Sequence, residues 1–218
     1  MIGYKTRASD AEQVATDSAK FGVRACTHPA DLSHADGAAE LVQATIAQLG
    51  GIDIFVANAG IWPEEEVELA IMNPARWHRT VRENLDSIFF SSAAVAKEIS
   101  AGGRIVLVSS TAGQRGEAFH ADYAATKGAV ISIAKSLAVE LAPRDVTVNC
   151  VAPGWVDTEM VAGAIAGQGL EQISRGIPLG RIASPEDIAG PIVFLCSSLA
   201  RHVTGEILNV NGGSVLCG

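Results

Sequence analysis

Three segments of this chain are apolar almost from end to end: IDIFVA at 52–57, RIVLVS at 104–109 and VTVNCVA at 146–152. A strand with one wet face alternates apolar and polar residues, so strands without alternation are those covered on both faces. Helical patterns lie between them. Trp77, Val81 and Leu85 share one face and lead into Phe89, Phe90, Ala93 and Ala96, and Asp122 to Leu141 is strongly helical. Apolar strands alternating with helices require helices on both sides of a sheet. The expected class is therefore α/β, with a doubly wound parallel sheet. Met1–Lys5 and Val23–Thr27 read as earlier strands. A helix over Asp10–Lys20, with Ser9 as cap and Gly22 as stop, separates them. Asp31 or Ser33 opens the next helix, which runs to Gly50-Gly51. Gly163 to Gly176 reads as a mobile loop or loosely held helices. Ser184-Pro185-Glu186-Asp187 starts another helix, and Glu206–Val210 is a last strand.

No repeat or linker divides the 218 residues, so a single domain over 1–218 is expected. The longest strongly apolar stretch, Ile188 to Cys196, is far short of the roughly 20 residues that cross a bilayer. The first residues lack a secretory pattern, so a cytoplasmic protein without membrane contact is expected. With 24 acidic against 16 basic side chains the net charge is −8, which argues against nucleic-acid binding. Cys26, Cys150, Cys196 and Cys217 form no C-x-x-C pair and read as small buried groups in a reducing compartment. The five histidines show no i, i+4 pairing, so no metal site is expected. The absence of G-x-S-x-G removes the simplest hydrolase reading.

Chemistry gathers elsewhere. Tyr123 and Lys127 are four residues apart on one helical stretch, so they share a face about 6 Å apart in rise. An ammonium beside a phenol favours the phenolate, which would make Tyr123 an acid/base group near neutral pH. Thirteen residues before Tyr123, Ser110 ends an apolar strand and is followed by Thr111-Ala112-Gly113. Asn58-Ala59-Gly60 and Pro153-Gly154 end the neighbouring strands at the same edge. Such strand ends form the crevice where α/β sheets bind ligands.

With these residues in view, the chain resembles the short-chain dehydrogenase/reductase family, most of all its 3-oxoacyl-carrier-protein reductase and glucose dehydrogenase branch. The matching stretches are ANAG (57–60), ENL (83–85), GRIVLVSSTAG (103–113), DYAATKGAV (122–130), SLAVELAPRDVTVNCVAPGWVDTEM (136–160), PLGRIASPEDIAG (178–190) and TGEILNVNGG (204–213). The resemblance implies a Rossmann-like fold and hydride transfer between a nicotinamide cofactor and a small carbonyl or alcohol substrate. It implies that Tyr123 exchanges a proton with the substrate oxygen while Ser110 hydrogen-bonds that oxygen. Lys127 would lower the Tyr123 pKa and bind the nicotinamide ribose, and Asn84 would hold a water in a proton relay. Asn58, Ala59 and Gly60 would lie along the cofactor, Asp31 and Leu32 at its adenine, and Pro153, Gly154, Val156 and Thr158 at its carboxamide. Trp62 and Trp155 would lie on the substrate side. Family members commonly assemble, so a homo-oligomer, tetramer or dimer, is expected.

One departure stands out. The family carries three strand–helix units before the residues matching Asn58, and two are counted here. The first strand and its T-G-x-x-x-G-x-G turn, which cradles the pyrophosphate, are expected to be absent, giving an N-terminally truncated sheet. Three arrangements would satisfy the central gap. The strand at Met1–Lys5 could pair directly with IDIFVA, move into the vacant position, or leave the position to a partner chain. Closure within the chain is the expectation. Alternatively, Met1 is an internal methionine of a longer protein. Lys5 and Arg7, where an acidic residue would suit NAD(H), favour the 2′-phosphate of NADP(H). The alternative function is a non-catalytic binding or assembly subunit.

Overall fold

Parallel pairing between buried strands forms the spine of the molecule, which a computed structural model describes over residues 1–217. Strands β1 (Ile2–Tyr4) and β2 (Thr27–Pro29) pair in parallel, with helix α1 (Ala8–Ala19) between them. Helix α2 (Ala35–Leu49) leads through Gly50, held at a φ of 95°, into β3 (Ile52–Ala57). The left-handed backbone needed to end α2 there is one that glycine adopts without a Cβ penalty. A long helical segment follows: α3 (Pro74–Val81), one π-helical stretch at Arg82–Asp86, and α4 (Ser87–Glu98). Then come β4 (Ile99–Val108), the short α5 (Thr111–Arg115), α6 (Ala121–Leu141) and β5 (Thr147–Pro153). Helices α7 (Ala162–Gln168), α8 (Leu170–Arg175) and α9 (Pro185–Cys196) precede β6 (Ile207–Val210).

Strands β3, β4, β5 and β6 form one parallel sheet in chain order, with Phe55 opposite Ile105, Leu107 opposite Cys150, and Cys150 opposite Ile207. Alternate residues of the two middle strands feed different cores, as the strand period of two requires. Ile105, Leu107, Val148 and Cys150 pack with Ile88 and Val95 of α4 and with Val130, Ala134 and Ala138 of α6. Val106 and Val151 face the other way, onto Ile188 and Leu195 of α9. Each such aliphatic side chain, once buried, contributes about 1.5–3 kcal/mol, so both faces of β4 and β5 are held strongly. Alanines on the inner face of α6 let that helix lie close to the sheet.

The α/β doubly wound expectation holds, with local differences. The second strand lies at Thr27–Pro29, four residues later than Val23–Thr27, because Phe21 to Val23 stays exposed and buries no face. Helix α1 is capped by backbone at Arg7 rather than by Ser9. Asp31 does not open α2 directly. Its Oδ1 accepts from the Ser33 amide at 3.0 Å and the Ser33 hydroxyl at 2.6 Å, a tight turn that precedes the helix. The larger correction concerns the sheet. No ladder joins β1 to β3 among the described residues, so the sheet consists of a pair and a quartet. Neither direct closure nor movement of the first strand beside IDIFVA takes place. The strand β3 is consequently an edge, with Ile54 and Val56 exposed, and is not covered on both faces. The β1–β2 ladder, Ile2–Thr27, Gly3–His28 and Tyr4–Pro29, uses one edge of β1, and among the described residues no ladder joins its other edge to β3.

Helices α5 and α6 meet at a backbone-to-backbone contact. A Cβ added to Gly113 would lie 2.5 Å from the Lys127 carbonyl carbon and 2.7 Å from the Gly128 nitrogen, closer than side chains approach backbone. Gly113→Ala is expected to cost about 1–3 kcal/mol through overpacking. Calorimetry should read this as a lower melting temperature, by about 2–4 °C per kcal/mol. An unchanged melting temperature would show that the two helices spread without cost.

Candidate active site

At the carboxyl ends of β3, β4 and β5 the chain turns outward over a cavity of about 740 Å³. Its lining includes Asn58 and Gly60 after β3, Ser109 and Ser110 after β4, and Pro153, Gly154, Val156 and Thr158 after β5. Tyr123 and Lys127 reach it from α6, and Arg7 from the start of α1. Strands in register end together, so residues 95 positions apart in sequence (Asn58 to Pro153) line one opening.

Lys127 is bolted to the end of β4. Its ammonium donates to the Val108 carbonyl at 2.9 Å, and its own carbonyl accepts from the Ser109 hydroxyl at 2.7 Å. Burial disfavours the charged amine and lowers its pKa from the ordinary value to about 8, with the nearby Cys150 opposing slightly. Tyr123 lies one helical turn earlier, its ring centroid 5.7 Å from that ammonium. Burial pushes its phenol up to about 12, against a hydrogen bond with Ser110 that lowers it, while Glu117 adds to the rise. The expectation of a lowered Tyr123 pKa is thus corrected for the protein alone. Desolvation of the phenol outweighs a cation that points at a carbonyl. At neutral pH the phenol keeps its proton.

Ser110 ends β4 in extended backbone and caps α5, its hydroxyl accepting from the Ala112 amide at 3.2 Å. Asn84 sits in the π-helical stretch and is fully buried. Its Oδ1 accepts from the Ile61 amide at 2.7 Å and its Nδ2 donates to the Ile61 carbonyl at 2.9 Å. The extra residue of the π-turn aims Asn84 across at the loop after β3, a use such turns often have. Gly60 is squeezed beside it: a Cβ there would lie 3.0 Å from Asn84 Oδ1 and 3.6 Å from Lys127 Nζ.

Trp62 forms a wall. Its indole stacks on His120 with centroids 4.0 Å apart and meets the Tyr123 ring edge-on at 4.7 Å. His120 Nε2 is 3.0 Å from the Pro63 carbonyl, which ties the two loops together. Trp155 also lines the cavity.

Other sequence candidates lie apart from this cluster. Lys5 pairs with Asp31 at 3.0 Å and Glu83 at 2.9 Å, bridging β1 to the π-helical stretch. The Ser33 hydrogen bond and Lys5 hold Asp31 down at about 2 despite some desolvation. Asp31, Leu32 and Ala59 are not part of the cavity lining, and Asp31 serves an ion pair. Arg7 does line the cavity and pairs with Asp10 and with Glu159, the latter at 2.9 Å. Among the described residues no cluster of His, Cys, Asp and Glu suits a metal, and no helix is long and apolar enough to cross a membrane. Residues that sequence reasoning missed are His120, Arg76, Thr80 and Asp122. Only the helical position of Asp122 beside Tyr123 hinted at them.

A family model described as Enoyl-(Acyl carrier protein) reductase matches residues 2–214. The 3-oxoacyl-[acyl-carrier-protein] reductase of Aquifex aeolicus is 36% identical over 206 residues, covering 93% of this chain and 80% of that protein. The cyclohexanol dehydrogenase of a Rhodococcus species is 38% identical over 208 residues, covering 93% and 77%. Among solved structures, a short-chain dehydrogenase/reductase of the glucose/ribitol dehydrogenase type from Brucella melitensis superposes with a TM-score of 0.87. It is 37% identical, and the match covers 95% of this chain and 84% of that one. A parallel sheet whose strand ends gather Ser110, Tyr123 and Lys127, together with these likenesses, assigns the chain to the short-chain dehydrogenase/reductase family.

Proposed function

We propose that this oxidoreductase reduces a small carbonyl compound, or oxidises the corresponding alcohol, with NADP(H), Tyr123 acting as the general acid/base. The observation that carries this reading is the convergence of Ser110, Tyr123 and Lys127 on one cavity. The residues suit the nicotinamide end of such a cofactor. Gly60 and Gly154 at the strand ends line the same cavity as the buried Lys127 ammonium, which leaves backbone and a cation facing the opening. Asn58, Gly60, Lys127, Pro153, Gly154, Val156 and Thr158 would hold that end. The bound nicotinamide supplies or accepts the hydride.

The chain's own part is proton handling and orientation. The Tyr123 phenol, protonated at neutral pH, gives its proton to the oxygen of the carbonyl. Ser110 steadies that oxygen by a hydrogen bond. As the phenol loses its proton, Lys127 offsets the developing negative charge. Asn84 fixes Ile61 and thereby the wall begun by Trp62. Trp62 and Trp155 favour an apolar or ring-shaped substrate. Exposed Phe89 on α4 and Val139 on α6 support a homo-oligomer, tetramer or dimer, packed through those helices. Four free cysteines suit a reducing compartment such as the cytoplasm.

Preference for NADP(H) over NAD(H) rests on Arg7. Lys5 is held away from the cavity by Asp31 and Glu83, whereas Arg7 lines the cavity and its exposed pairs with Asp10 and Glu159 yield to a phosphate. Arg7→Ala should raise KM for NADPH about tenfold, one charged hydrogen bond's worth, and leave KM for NADH nearly unchanged. Equal effects on the two cofactors would remove the preference.

NADPH consumption with cyclohexanone, ethyl acetoacetate and simple sugars tests the reaction itself. Tyr123→Phe should lower the rate on the best of them about 10²–10⁴-fold. Equal rates for the two proteins would return the chain to a binding role.

The pH profile tests Lys127. Burial lowers its pKa to about 8, so the ammonium is present below that pH and lost above it. The kcat/KM for carbonyl reduction, which reports the free enzyme, should be level below about pH 8 and fall above it. In Lys127→Arg the charge persists and this limb should vanish. A limb unchanged by that substitution would assign it to another group.

A further inference from the structure

Arg76, on α3, lies outside the proposed chemistry yet touches everything around it. Its Nε donates to Asp122 Oδ2 at 3.1 Å, its Nη1 to the Glu65 carbonyl at 2.6 Å and its Nη2 to the Phe119 carbonyl at 3.4 Å. Asp122 is fully buried in the first turn of α6, immediately before Tyr123. The Thr80 hydroxyl donates to the same Oδ2 at 2.8 Å, and Oδ1 has no hydrogen-bond partner among the described residues. Both side-chain donors to the carboxylate therefore come from α3. Burial alone would raise its pKa, but hydrogen bonds from Arg76, Thr80 and the Tyr123 backbone hold it below the usual carboxylate range. The carboxylate is charged at neutral pH.

The same guanidinium spans both loops of the Trp62 wall. Glu65 follows Trp62-Pro63, and Phe119 precedes His120, the residue on which Trp62 stacks. Phe119 itself sits at a φ of 62°, left-handed backbone that a bulky residue adopts only when its surroundings impose it. Here the surroundings are two donors on its carbonyl, Arg76 Nη2 and the Val67 amide at 3.0 Å. The loop after Trp62, the Phe119 turn and the start of α6 are thus tied to one side chain.

We propose that the Arg76–Asp122 pair is a positioning element, holding the Tyr123 end of α6 and the Trp62–His120 wall in a single geometry. It touches neither substrate nor cofactor. The proposal rests on the reading of Tyr123 as the proton donor, and one arm of its test is independent of turnover.

The decisive protein is the double variant Asp122→Leu/Arg76→Met. Replacing both partners of a buried ion pair by apolar groups of similar size leaves stability nearly unchanged or raised, whereas removing one strands a buried charge. In the double variant the melting temperature should stay near that of the parent. With NADPH and cyclohexanone, or the best substrate of the panel above, kcat should fall about 10–100-fold, the scale of a misplacement near 1 Å. KM should move less than about threefold, since neither group contacts ligand. Asp122→Asn, which keeps an acceptor for Thr80 and Arg76, should recover most of the parent kcat. The turnover-independent arm reads Trp62 fluorescence in a Trp77→Phe/Trp155→Phe background, where unstacking from His120 alters intensity and acrylamide quenching. A stable double variant with parental kcat and parental Trp62 signal overturns the proposal. So does a loss of kcat that Asp122→Asn shares in full while the Trp62 signal stays parental. If the parent turns over nothing, the reading of Tyr123 fails, and the fluorescence arm still decides whether the pair holds the wall.

Discussion

Lys127 is anchored twice to the end of β4, by its ammonium on the Val108 carbonyl and by its own carbonyl under the Ser109 hydroxyl. One is a charged group in a place without water, and the other fixes the helix backbone itself. Together they set where α6 crosses the sheet, hence where Tyr123 stands. Gly113 adds a third constraint, because α5 approaches the same point of α6 with no room for a side chain. The alanines of α6 and the valines of β4 and β5 fill what remains. A large share of the molecule's packing serves to hold one lysine.

That arrangement has an electrostatic side. Burial raises the phenol to about 12 and lowers the amine to about 8, moving two ordinarily similar pKa values apart. A proton leaving Tyr123 therefore does so beside a cation whose charge is itself sensitive to pH. The carboxylates around the site are each matched to a cation: Asp122 to Arg76, Glu159 to Arg7, Glu117 to Arg115. The phenol is left mainly to burial, with Ser110 opposing the rise and Glu117 adding to it.

Much of this was legible in the amino-acid order. Apolar runs without alternation located β3, β4 and β5, and the polar or small residues at their ends located the cavity. The capping box at Ser184 with Pro185 next to it located the start of α9. What stayed hidden was long-range. Arg76 and Asp122 stand 46 positions apart, and nothing in either neighbourhood indicates that a guanidinium on α3 reaches α6. The pKa of Tyr123 was misread because spacing reveals a neighbour's charge but not the loss of water. The split of the sheet was misread because an apolar strand such as IDIFVA looks the same whether its edge is paired or open. The four-residue displacement of β2 has a similar origin: Val23 to Thr27 has strand-like composition, but pairing with β1 begins only at Thr27.

The π-helical stretch at Arg82–Asp86 places one surplus residue inside an otherwise regular helix. The wide turn winds its five residues through nearly the angle that four take in an α-helix, so Ile88 and Val95 beyond it keep facing the core while Asn84 is pushed out toward Ile61. A residue lost at this turn would leave the flanks in register and withdraw Asn84. Elsewhere along the helix each residue gained or lost would turn one flank against the other by about 100°. Changes of length in this helix thus have a single place where the core is spared.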